Sequence, residues 1–188
     1  MNVLCISAHP DDEILGIGGT LLKHLADGDS VTVALCYPCR VGGAVIAEAQ
    51  RRMGLPYQQQ VEDIDKLVAS VQPDTVYMHS AADLHHEHQE LIQRTLVACR
   101  PQSGVRNLYA FETPSATDWG RRPFVPQRFV DITATIDQKL EAMAAYESEL
   151  RDPPHPRSLD ALRVRAAYWG QRVGVAYAEP FEVIRSCG

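Results

Sequence analysis

Ser7-Ala8-His9-Pro10-Asp11-Asp12-Glu13 sets an imidazole and three carboxylates directly behind Val3-Leu4-Cys5-Ile6, an apolar run that reads as a buried strand. Carboxylates crowded in this way repel one another and resist burial unless they are paired or hold a metal. His with Asp is a ligand pair that Zn²⁺ accepts, so the stretch reads as half of a zinc site just past a strand end. The competing reading is a polar turn in which Asp11 or Asp12 caps the helix that follows.

Downstream, Gly16-Ile17-Gly18-Gly19 leads into a helix from Thr20, with Leu21, Leu22 and Leu25 in helical spacing and Gly28 as its terminating residue. A glycine turn behind an acidic cluster would meet a dinucleotide pyrophosphate with the wrong charge, so these glycines are expected to serve close packing of helix on sheet. The run 30–36 is a second strand and completes a βαβ unit with parallel strands. A further strand is expected over 74–79, and behind it stands the second chemical cluster, Asp83-Leu84-His85-His86-Glu87-His88, opening a helix. His85 and His88 are three apart and share a helix face. A solvated His-rich helix start is the plainer account of that cluster alone. In an open parallel sheet, ligands bind beyond the carboxyl ends of strands where the winding reverses. If the first strand neighbours the 74–79 strand, His9, Asp12 and His88 become three N/O ligands with a fourth position open, the arrangement of catalytic zinc.

The remaining pattern is that of an α/β protein. Helices are expected over 44–53 and 63–71, with only Leu55-Pro56-Tyr57-Gln58-Gln59-Gln60 where a doubly wound fold would place its third strand. Either the sheet lacks an edge strand or residues are missing there. Strands are expected over 105–112 and 128–132, long helices over 133–150 and 159–173, and an edge segment over 177–184, because Pro180 cannot donate to a ladder. Trp119, Arg121, Arg122 and Phe124 share a Gly/Pro-bearing loop whose aromatics and guanidinium groups suit a sugar and an anionic group. Pro153-Pro154-His155-Pro156-Arg157 stiffens an imidazole and a guanidinium in one loop. Arg40, Arg122, His155 and Arg157 are therefore the candidate substrate-binding residues. Solvated surface and a rigid connector are the simpler accounts of these loops.

With 188 residues, 45% of them hydrophobic and 22% charged, one domain with a real core is expected over 1–188, with 113–188 as a C-terminal, substrate-side extension. A net charge of −6 argues against nucleic acid and an anionic membrane surface as partners. No apolar run approaches the ~20 residues of a spanning helix, nor is a signal-peptide pattern visible, so a cytoplasmic location is expected. Five cysteines disfavour a disulfide framework, and Cys36 and Cys39 form a lone CxxC for which ordinary thiols are the simpler account than redox chemistry.

Ala8-His9-Pro10-Asp11-Asp12-Glu13 and Asp83-Leu84-His85-His86-Glu87-His88 together resemble the signatures of the LmbE/PIG-L zinc-dependent N-deacetylases, AHPDDE after the first strand and a later DxHxDH. The second match carries Glu87 where that family usually has Asp, and the loop over 36–43 is shorter than the family's substrate-shaping loop. The resemblance implies a single Rossmann-like, mostly parallel sheet with helices on both faces. It implies His9, Asp12 and His88 as metal ligands, Asp11 as general base, His85 polarising the amide oxygen and Glu87 orienting His85. The expected function is hydrolysis of an N-acetyl group on an amino sugar or glycoconjugate by a Zn²⁺-dependent amidohydrolase. The same His₂Asp set also accepts Fe²⁺. A metal-dependent phosphoesterase and a non-catalytic sugar- or metal-binding module are the alternatives, and a homo-oligomer is compatible with each.

Overall fold

Val3, Leu4, Cys5 and Ile6 are fully buried because β1 (Asn2–Ser7) runs through the interior of a sheet covered on both faces. A computed structural model of the chain describes residues 1–37, 43–53, 59–60 and 63–187, with backbone alone at 43, 46, 50, 59 and 60. β2 (Ser30–Leu35) and β4 (Thr75–His79) flank β1 in parallel. β3 (Gln59–Gln60) pairs parallel with β2, and β5 (Asn107–Phe111) parallel with β4. β7 (Ala178–Ser186) lies antiparallel between β5 and β6 (Arg128–Asp131), giving the order β3-β2-β1-β4-β5-β7-β6. The mostly parallel α/β sheet expected from the sequence is therefore present.

The two faces bury different helices. Val3 and Cys5 pack into a core shared with α1 (Asp12–Ala26), α2 (Gly43–Met53), α5 (Ile136–Met143) and α6 (Leu159–Gln171). Leu4 and Ile6 point the other way, into a core with α3 (Ile64–Val71) and α4 (His86–Ala98). The chain winds outward from β1 to β2 and β3, then returns to β4 on β1's other side. The carboxyl ends of β1 and β4 thus meet where the winding reverses.

α1 begins at Asp12, eight positions before the sequence pattern places it, and breaks at Ile17 (φ −137°, ψ 17°). The break leaves backbone groups of the turn without helical partners, and a buried ion pair supplies them. Gly19 N donates to Glu179 Oε1 at 2.9 Å, Thr20 N to Glu179 Oε2 at 2.7 Å, and Lys139 Nζ to Leu15 O at 3.0 Å, while Lys139 and Glu179 meet at 2.6 Å. The glycines serve close packing, as expected. A Cβ on Gly16 would stand 2.9 Å from Glu112 O, and one on Gly19 2.8 Å from Ile132. Gly28 adopts φ +81° beyond the Asp27 cap, the left-handed terminator that the pattern anticipates.

Three expectations are corrected. α5 stops at Met143 instead of running to 150, because Ala145 N and Tyr146 N bond three residues back, to Ala142 and Met143, and the tightened turn delivers Tyr146 into the core. β7 is an interior strand, not an edge. Its pairing with β5 ends at Phe181 opposite Phe111, so Pro180 lies one residue beyond that ladder. The third strand exists as the two-residue β3, too short to show in a sequence pattern.

Lys139→Met is expected to lower the unfolding free energy by about 3–5 kcal/mol, the scale for removing one partner of a buried ion pair. The loss reads as a lower urea midpoint, and adding Glu179→Gln should recover part of it. An unchanged midpoint in the single variant would show that the pair is dispensable.

Candidate metal centre

His9 follows β1, Asp12 opens α1, and His88 stands in the first turn of α4, behind the β4 loop. Their side chains converge. His9 Nδ1 lies 3.3 Å from His88 Nε2 and 3.4 Å from Asp12 Oδ2, and His88 Nε2 lies 3.2 Å from the same Asp12 oxygen. Ligands at 2.0–2.1 Å from a tetrahedral ion stand about 3.3 Å apart, so the triangle has the edges that Zn²⁺ would need.

The far side of each ring fixes which nitrogen faces the triangle. His88 Nδ1 is 2.8 Å from Asp83 Oδ2, and His9 Nε2 is 2.7 Å from Glu87 Oε2. A carboxylate can only accept, so each ring donates its outward N–H there, and the inner nitrogen, once free of a proton, turns its lone pair toward the other two residues. Three electron-rich atoms aimed at one point call for a cation. Asp83 is itself set by accepting from His85 N at 2.8 Å, an Asx turn that starts α4.

Two wider groupings of ligand atoms also lie within 4.8 Å of one another: His9 with His85 and His88, and Asp12 with His79 and His88. His79, at the end of β4, is already spoken for. Its Nε2 accepts from Ala8 N and its Nδ1 faces Thr113 Oγ1, each at 3.0 Å, while its ring stacks on His88 at 4.0 Å. Burial, reinforced by His88, holds its pKa well below the usual value, so it stays neutral. It walls the site and holds the β1 loop in place.

Asp11 occupies the helix-cap position with φ +108°, yet its side chain makes no capping bond, which removes the capping reading. Its amide donates to Glu13 Oε2 at 3.1 Å, and its Oδ2 accepts from Arg157 Nη2 at 2.6 Å. Burial and the Asp12 charge push its pKa well above the carboxylate range against the pull of Arg157. For Asp12, burial opposes the charge, but His88 and His9 hold its pKa well below that range. His85 stands 4.5 Å from His88 ring to ring, its pKa lowered by burial and by His88, so it is neutral.

A cavity of about 570 Å³ joins His9, Asp11, Asp12, His85, Glu87 and His88 to Thr113, Pro114, Ser115, Ala116, Glu149 and Arg157. Arg157 thus reaches the site, though as the partner of Asp11. His155 lies behind it, accepting from Arg157 N at 3.1 Å. Arg122 lines a different cavity of about 810 Å³ with Arg121, Leu84 and His86. Arg40 and Cys39 fall outside the described residues. Burial pushes the Cys36 thiol up to about 11, which suits an inert thiol. Glu87 pairs with His9 and not with His85, because from the first turn of α4 its longer side chain reaches across to the β1 loop. Sequence reasoning gave no role to Asp83, His79 or Glu149. Asp83 stood within the quoted hexapeptide, and His79 was signalled by a polar residue closing an apolar strand.

The chain matches the family model "PIG-L: GlcNAc-PI de-N-acetylase" over residues 4–50. It is 26% identical to diacetylchitobiose deacetylase of Thermococcus kodakarensis, across 94% of this chain and 80% of that protein. It is also 38% identical over 61 residues to the 1D-myo-inositol 2-acetamido-2-deoxy-alpha-D-glucopyranoside deacetylase of Tsukamurella paurometabola, across 32% of this chain and 18% of that protein. The conserved protein TT1542 from Thermus thermophilus shares the fold of this chain with a TM-score of 0.79 at 26% identity, over 100% of this chain and 96% of that one.

Without an ion, burial pulls the His88 pKa down, but Asp12 and Asp83 together lift it to about 10. A proton therefore occupies His88 at neutral pH in the metal-free chain, and an entering ion must displace it. About one proton per ion should be released near pH 7, and metal affinity should climb as pH rises toward 10. Calorimetric titration in buffers of different ionisation enthalpy measures that release, and heats independent of buffer would exclude it.

Proposed function

We propose that this chain is a Zn²⁺-dependent N-deacetylase that removes the acetyl group of an amino sugar or glycoconjugate, with His9, Asp12 and His88 as the ligands. The observation that carries the proposal is the triangle of two imidazole nitrogens and one carboxylate oxygen, 3.2–3.4 Å on each side, with carboxylates behind both imidazoles. The relatives support the substrate class. Both named deacetylases act on molecules that carry a 2-acetamido-2-deoxy sugar. A single domain whose 113–188 portion shapes the substrate side fits Thr113, Ser115, Glu149 and Arg157 on the cavity wall. The free, buried thiols of Cys5, Cys36 and Cys99 favour a reducing compartment such as the cytoplasm.

Zn²⁺ would supply the acidity that makes water nucleophilic near pH 7 and polarises an amide carbonyl. The chain's own groups do the rest. Arg157 engages Asp11 Oδ2, leaving Oδ1 to take the proton of the attacking water as the new C–O bond forms. Neutral His85 donates a hydrogen bond to the carbonyl oxygen as negative charge develops there, a donor worth about 3 kcal/mol in comparable sites. The proton on Asp11 then passes to the leaving nitrogen, the C–N bond breaks, and acetate and the free amine separate.

Asp11→Asn should keep its metal content by elemental analysis while acetate release falls by about 10²–10⁴-fold, and full turnover would exclude Asp11 as the base. His88→Ala should lose both metal and turnover. Unchanged stoichiometry in that variant would remove His88 from the ligand set.

A further inference from the structure

We infer that Trp119 is a saccharide-stacking platform at the rim of the cavity, so that the substrate is a glycoside or oligosaccharide whose second ring lies against the indole. The inference rests on the deacetylase reading for the first ring, and on Trp119 itself for the second.

Trp119 is 61% exposed, whereas Trp169 is buried with its Nε1–H donated to Glu112 at 2.8 Å. Exposed apolar side chains are ordinary on a protein surface. This one is carried by a loop braced from several sides. Trp119 N donates to Ser115 O at 3.2 Å, Ser115 N to Asp118 Oδ2 at 2.8 Å, and Arg165 Nη2 grips both Asp118 oxygens at 2.6 and 2.7 Å. Ser115 is held at φ +77°, a conformation that a non-glycine residue keeps only when its surroundings impose it. A braced loop carrying an uncovered indole has already lost the backbone freedom that ligand binding would otherwise remove, which favours binding.

Two contacts tie it to residues that line the cavity. Ser115 and Arg157 are both in the lining; Trp119 N bonds to Ser115 O, and the indole meets the ring of His155, whose Nδ1 accepts from Arg157 N. The contact with His155 is perpendicular, 89° at 5.5 Å, and a perpendicular contact can cover at most one indole face. The open face is electron-rich and flat, suited to the row of polarised C–H bonds on one side of a pyranose ring. A free monosaccharide with its N-acetyl group at the triangle would leave this platform unused.

The test compares N-acetylglucosamine with N,N′-diacetylchitobiose on the Zn²⁺-loaded full chain, reading tryptophan emission and calorimetric Kd. Chitobiose should change the emission saturably and N-acetylglucosamine should not. Trp119→Ala should abolish the change and weaken chitobiose binding about tenfold, as truncation of an aromatic anchor does, with N-acetylglucosamine binding unaltered. Trp119→Tyr should retain most of the affinity. Emission from buried Trp169 reports whether each variant is folded. Equal chitobiose affinity in wild type and Trp119→Ala, or no emission change in the wild type, overturns the platform. Acetate release is scored separately. Trp119-dependent binding without release would remove the deacetylase reading alone, and release from chitobiose indifferent to Trp119 would remove the platform alone.

Discussion

Two imidazole nitrogens and a carboxylate oxygen, held within 3.4 Å of one another, are electrostatically unsustainable unless positive charge lies among them. That demand organises the surrounding chain. β1 and β4 must be neighbours for His9 and His88 to meet, and the reversal of winding between them makes them so. Asp83 and Glu87 must stand behind the rings, since without them either imidazole could present its N–H inward and close the site to a cation. In the metal-free state a proton on His88 meets the demand.

Around that centre the charges alternate in sign. Asp12 is held ionised by the imidazoles, whereas Asp11, one residue earlier, is pushed toward its neutral form by burial and by Asp12, with Arg157 restraining the shift. Adjacent carboxylates with opposed tendencies are what a site needs when one must bind a cation and the other must exchange a proton. The positive φ of Asp11 is part of this division, because it turns the two side chains to different partners from one tight turn.

The convergence of His9, Asp12 and His88 was legible in the sequence because a strand end followed by packed carboxylates has few physical explanations, and because a helix start fixes which histidines share a face. The outer partners were not. Whether Glu87 reaches His9 or His85 depends on how far α4 lies from the β1 loop, a tertiary distance that local spacing does not encode. Arg157 read as a substrate contact because its pairing with Asp11 joins positions 146 residues apart. The length of α5 was overread, since 133–150 keeps helical periodicity even where the backbone tightens to place Tyr146. Arg122 was grouped with the site on loop composition, and the fold carries it to the other cavity.

The repair of the broken turn in α1 has a consequence for how the molecule comes into being. Leu15 and Gly19, just past Asp12, are completed by Lys139 and Glu179, which lie 124 and 160 positions further along the chain. A nascent chain has exposed His9, Asp12 and His88 once α4 leaves the ribosome, yet the helix bearing Asp12 still lacks the Glu179 half of its fastenings until β7 has been made. A polypeptide ending before β7 would carry His9, Asp12 and His88 without the carboxylate that fastens the broken turn behind them.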